Sequence, residues 1–90
     1  MQTFHLHIKG KVQGVFYRAS AKKEADALGL MGWIKNNASG DVEAMITGPN
    51  EALQEFIDWC KRGPSGAIVK EVVVREEVET IRLKGFEIIR

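Results

Sequence analysis

The segment Gly10-Lys11-Val12-Gln13-Gly14-Val15-Phe16-Tyr17-Arg18 combines residue types and spacing suited to gripping a compact anion. Backbone N–H groups at a strand-to-helix junction, together with the unpaired ones of the first helical turn, make a concave donor set. The helix N-terminus adds partial positive charge. Gly14 permits the backbone angles such a curl needs and lets a ligand approach closely. Arg18 brings a planar, permanently charged fork whose donors match two phosphate oxygens. A nest beside one arginine is a cradle for a terminal phosphoryl group. The Gly-Lys-Ser/Thr ending of a Walker loop is missing, so neither a nucleotide nor a magnesium site is implied. Spacing alone leaves a blander alternative open, because two glycines are common in loops and an arginine in a first helical turn is commonly solvated.

Asn36 is the second candidate. It closes Gly32-Trp33-Ile34-Lys35-Asn36 ahead of the turn cluster Asn37-Ala38-Ser39-Gly40-Asp41. Its amide both donates and accepts, and can hold a water without titrating. Asn36 and Asn37 fit equally well as turn residues chosen for local hydrogen bonding.

The elements that must position these groups follow from periodicity. Phe4, Leu6 and Ile8 alternate with His5, His7 and Lys9, a half-buried strand. Gly10 to Tyr17 reads as a loop. A helix follows from Arg18, with Tyr17, Ala21, Ala25 and Leu28 on one face and Gly29 as its left-handed stop. Met31 to Asn36 and Val42 to Thr47 form a hairpin. Gly48-Pro49-Asn50 then punctuates, with Asn50 as cap of a second helix. That helix carries Leu53, Phe56, Ile57 and Cys60 as its apolar stripe, Lys61 and Arg62 in its last turn, and Gly63-Pro64 as its stop. Val69 to Arg75 is β-branched, and Phe86 to Ile89 makes a short final strand at an edge. The expected fold class is α+β: a ferredoxin-like βαββαβ sandwich with an extra C-terminal strand. Two helices should pack on one face of a mainly antiparallel sheet, in a single domain over residues 1–90.

Bulk properties exclude several function classes. The 90 residues carry 13 Lys plus Arg against 12 Asp plus Glu, a formal net charge of +1. Nothing draws the whole molecule to nucleic acid or an anionic membrane, so any bound anion must be held locally. With a single cysteine, Cys60, no internal disulfide forms. No apolar run reaches signal-peptide or membrane-span length, and a cytoplasmic monomer is expected. His5 and His7 share a strand face, but two ligands do not make a metal site. Lys22 and Lys23 read as a solvated helix face, and Trp59 and Cys60 as packing. The charges around Val72-Val73-Val74 read as guards against aggregation.

Taken together, the two candidate segments resemble the acylphosphatase family. The first matches its Gly-x-Val-Gln-Gly-Val-x-aromatic-Arg signature at Gly10, Val12, Gln13, Gly14, Val15, Tyr17 and Arg18. The second matches Gly-aromatic-x-Lys-Asn-x-x-x-Gly-x-Val-x5-Gly at Gly32, Trp33, Lys35, Asn36, Gly40, Val42 and Gly48. Tyr17 replaces the usual Phe and Ile34 the commoner Val or Ala, both conservative departures. The resemblance implies hydrolysis of small acyl phosphates to carboxylate and inorganic phosphate, without metal or other cofactor. It implies that Gln13, Gly14, Val15, Phe16, Tyr17 and Arg18 bind the phosphate through backbone N–H groups and the Arg18 side chain. It also implies that Asn36 orients the attacking water. The chemistry needs little more, because a carboxylate leaving group, whose acid has a pKa of about 4, departs without a proton donor.

Rival readings are a non-catalytic phospho-metabolite-binding module on the same fold, an RNA-recognition module, and a fragment of a larger carbamoyl-phosphate-using protein. The RNA reading lacks the aromatic platform such modules use. The caps and closing strand favour a free-standing enzyme.

Overall fold

Alternation along β1 (Gln2–Lys11), β2 (Met31–Asn36) and β3 (Val42–Gly48) sends every second side chain to one face of a sheet. Leu6, Ile8, Ile34, Val42, Ala44 and Ile46 are buried there. The pairings Leu6↔Ala44, Ile8↔Val42 and Ile34↔Ala44 stack them in register. The computed structural model describes residues 1–78 and 84–89. It adds β4 (Ile68–Glu77) and β5 (Phe86–Ile89), giving a sheet ordered β4-β1-β3-β2-β5. All neighbours are antiparallel except β5, which runs parallel to β2.

Two helices, α1 (Tyr17–Ala27) and α2 (Asn50–Arg62), cover the apolar face with Tyr17, Ala21, Ala25, Leu53, Phe56, Ile57 and Cys60. The stripe predicted for α2 is its buried set. α1 ends as expected: the N–H of Gly29 donates to the Asp26 carbonyl and that of Leu30 to the Ala25 carbonyl. This is the ferredoxin-like sandwich expected, with its additional strand at an edge.

Strand direction brings the candidate residues to one place. β1 and β2 both oppose β3, and β5 follows β2, so β1, β2 and β5 end at the same rim of the sheet. The loop after β1, Asn36 at the end of β2 and the last residues of β5 are thereby neighbours.

Some details differ from the sequence expectation. β1 continues to Lys11, so Gly10, expected in the loop, lies within the strand at an irregularity of the β1–β4 ladder. A Cβ there would collide with the Ile68 carbonyl oxygen. Glycine is present because β4 passes too close for any side chain. Asn50 does not cap α2. Pro49 takes that position, extended at φ −66°, and its carbonyl accepts from the Leu53 N–H. Lys22, expected on a solvated face, donates to the Phe86 carbonyl at 2.9 Å as well as to Asp26. The outward carbonyls of an edge strand need donors, and α1 lies beside this one.

Candidate active site

With Gly10 inside the strand, the loop proper is Val12 to Phe16. Gly14 (φ 75°) and Phe16 (φ 62°, ψ 25°) have left-handed backbones, which curl the chain into the start of α1. Phe16 is the only non-glycine among the described residues with positive φ. That conformation costs an L residue about 1–2 kcal/mol. Among the described residues, no backbone N–H from Gly14 to Arg18 has an acceptor within the chain. The first turn of α1 holds no acidic residue, whereas that of α2 holds Glu51. This N-terminus therefore presents free donors and an unopposed helix dipole.

A cavity of about 400 Å³ opens at this rim, lined by Val12, Gly14, Phe16, Tyr17, Arg18, Ala19, Asn36 and Ile88. Arg18 and Asn36, eighteen positions apart in sequence, share it. Arg18 Nη1 reaches the Ile89 carbonyl at 3.4 Å, a long contact that ties the guanidinium to β5. Asn36 Oδ1 is shielded from solvent and has no hydrogen-bond partner among the described residues. A buried acceptor left unsatisfied costs about 1–3 kcal/mol, and Asn36 carries that cost beside the cavity.

Gln13 and Val15 do not line the cavity. Gln13 instead reaches the β2–β3 turn, where Nε2 donates to the Asn37 carbonyl at 2.9 Å and the Asp41 carbonyl at 2.8 Å. The turn is further closed by Asn37 Oδ1, which accepts from the Ser39 and Asp41 N–H groups. His7 Nε2 lies 2.8 Å from Asp41 Oδ2 and His5 Nε2 lies 3.1 Å from Glu43 Oε1. Both histidines are thus paired with carboxylates across the strands. Burial would raise the Glu43 pKa, but hydrogen bonds from His5 and Asn37 and the charges of His5 and Lys35 hold it below the ordinary value.

Tyr17, named from sequence for its place on the helix face and in the loop signature, has a further anchoring role that the sequence did not show. Its ring is buried 5.3 Å from that of Trp59, and its hydroxyl donates to the Cys60 carbonyl at 2.8 Å. The last carbonyls of a helix lack internal partners, so this bond serves the end of α2 and pins the start of α1 to it. Burial, foremost, raises the Tyr17 pKa and pushes the Cys60 thiol up to about 12, so both stay neutral. Phe in place of Tyr would fill the same space, and the hydroxyl's partner is invisible until α2 is folded alongside.

The profile of the acylphosphatase family matches residues 4–88. The chain belongs to the acylphosphatase family. An acylphosphatase of Syntrophus aciditrophicus is 43% identical over 89 residues, covering 99% of this chain and 93% of the relative. The crystal structure of the acylphosphatase from Bacillus subtilis superposes with a TM-score of 0.96 at 34% identity, covering 100% of both chains. Full-length HypF, in its phosphate- and nucleotide-bound form, contains a similar unit: TM-score 0.85 and 34% identity over 99% of this chain but 12% of HypF. As an acylphosphatase family member, the chain is an enzyme, a hydrolase on the ferredoxin-like fold.

Proposed function

We propose that the chain hydrolyses small acyl phosphates to a carboxylate and inorganic phosphate at this cavity, with Arg18 and Asn36 as its catalytic residues. The observation that carries the reading is their meeting in one hollow beside the unpaired N–H groups of Gly14 to Arg18. The phosphoryl oxygens are held by those N–H groups and by the Arg18 fork, which offsets the charge that spreads over them in the transition state. Asn36 holds a water in line with the leaving group. Turning its terminal amide offers the unspent acceptor to one of the water's protons. The water oxygen bonds to phosphorus, the bond from phosphorus to the acyl oxygen breaks, and the carboxylate leaves with the electron pair. The water's proton passes to a phosphate oxygen, since an asparagine is a poor base. Gln13 acts by bracing the loop against the β2–β3 turn, with Val15, Phe16 and Tyr17 contributing backbone donors.

No step calls for a metal or other cofactor. A monomer in the cytoplasm, without nucleic-acid or membrane partners, fits the near-neutral charge. Among the described residues, no helix is long and apolar enough to cross a membrane. The deciding assay is turnover of benzoyl phosphate with a chelator present. Release of phosphate at an undiminished rate is expected. A folded protein that binds phosphate without turnover would favour the non-catalytic module instead, and loss of turnover with chelator would overturn the metal-free reading.

A further inference from the structure

We infer that the outer edge of β4 pairs antiparallel with β4 of a second copy, joining the two sheets across a two-fold axis at Val73. β4 stands at one end of the sheet order, and among the described residues no strand lies beyond it. An edge of this kind presents a row of N–H and C=O groups that another strand can use. At ten residues it is long for an edge, and it is apolar along much of its length. Ile68, Val73 and Val74 within it, and Val78 just after it, are each at least 40% exposed. Among the described residues, most of the large hydrophobics left in water belong to this strand and its end.

The strand itself supplies the complement. Laid antiparallel on its own copy about Val73, Lys70 faces Glu76, Glu71 faces Arg75, Val72 faces Val74, and Val73 faces Val73. At the ends of the same register Ile68 faces Val78, and Val69 opposite Glu77 is the one mismatch. Side chains directly opposite in an antiparallel pair touch, so opposite charges and β-branched pairs there stabilise it while like charges oppose it. The two-fold repeats each favourable pair except the central one. Moving the register by one step sets Glu71 against Glu77 in one direction, or Val73 against Glu71 and Ile68 against Glu76 in the other. The charges flanking the valines therefore admit one alignment and resist its neighbours. Within one chain Arg75 meets Glu77 at 3.2 Å and Glu71 meets Lys9 at 3.8 Å, exposed contacts weak enough to be shared with a second copy.

The cavity draws on β2 and β5, at the other side of the sheet, and stays open in the pair. Edge-to-edge contact of two strands is narrow beside the roughly 1,200–2,000 Å² of a stable interface, so association is weak and reversible. The chain is then the monomer proposed above when dilute, and pairs as its concentration rises.

Sedimentation equilibrium from about 10 μM to about 1 mM spans affinities of this order. The wild type should show the mass of one copy at the low end and approach that of two at the high end. Val73→Lys, which sets two ammonium groups on the axis, and Arg75→Glu, which opposes Glu71 with a like charge twice, should each weaken association by about tenfold or more. The double variant Glu71→Arg with Arg75→Glu restores the pairs with reversed sign and should regain it. Circular dichroism of all three should match the wild type, since these side chains are exposed. Loss in both single variants with recovery in the double is a pattern that contact through another surface would not give. A single-copy mass for the wild type at the highest concentration would overturn the inference, leaving the edge to a different protein's strand or to none. So would association that both single variants leave unchanged.

Discussion

The two connections that meet at the cavity are built on opposite principles. The turn Asn37–Asp41 spends its polar groups on itself and its neighbours: the Asn37 carbonyl, amide oxygen and N–H are all bonded, and so are the Asp41 carbonyl, N–H and carboxylate. The loop Val12–Phe16 leaves the N–H groups of Gly14, Val15 and Phe16 unspent. A closed turn holds the end of β2, and hence Asn36, in one place; an open loop offers donors to something that arrives. Gln13 belongs to the loop by sequence and to the turn by bonding, and it straps the two together. Preorganisation is therefore uneven: the side proposed to hold the water is fixed by internal bonds, while the side proposed to hold the anion keeps its donors free among the described residues.

The largest break in that contrast comes from the open side. Arg18→Ala should cut kcat/KM for benzoyl phosphate by on the order of a thousandfold, the scale of losing a main charge-stabilising donor. A folded variant that kept most of its turnover would remove Arg18 from the chemistry. Asn36→Ala should lower kcat by on the order of a hundredfold while inhibition by inorganic phosphate stays nearly constant, because water positioning matters in the transition state and little in binding. Were phosphate inhibition to vanish with turnover, Asn36 would be an anion ligand. Gln13→Ala cuts the strap and should reduce kcat by about tenfold with a smaller change in KM, alongside roughly 1–2 kcal/mol of stability from two lost hydrogen bonds. Unaltered kinetics beside the stability loss would limit Gln13 to a structural role. The smallest effect on turnover is expected of Tyr17→Phe: activity within about twofold, and about 1–3 kcal/mol less stability in urea, because the Cys60 carbonyl is left unsatisfied.

What sequence could supply was uneven along the same line. Alternation and helical spacing located the elements, and the two matched segments singled out Arg18 and Asn36, which share a cavity. Features depending on a distant backbone were illegible. Gly10 looks like a loop residue until β4 is known to cross it. Lys22 looks like a surface cation until β5, more than sixty residues later, presents the Phe86 carbonyl, and the Ile89 carbonyl that Arg18 touches is as remote. Tyr17 differs from Phe by one hydroxyl whose acceptor lies forty-three residues away. Gln13 belonged to a recognisable pattern, yet its side-chain partners lie in the turn after β2, beyond the reach of any local pattern.

The parallel course of β5 has a practical consequence. β5 ends with Ile89 at the rim where the cavity opens, and its carbonyl is the one that Arg18 touches. Chain in front of Gln2 departs from the opposite rim, because β1 runs toward the cavity. An affinity handle, fluorophore or immobilising linker attached ahead of Met1 starts from the rim away from the cavity, whereas β5 ends beside it.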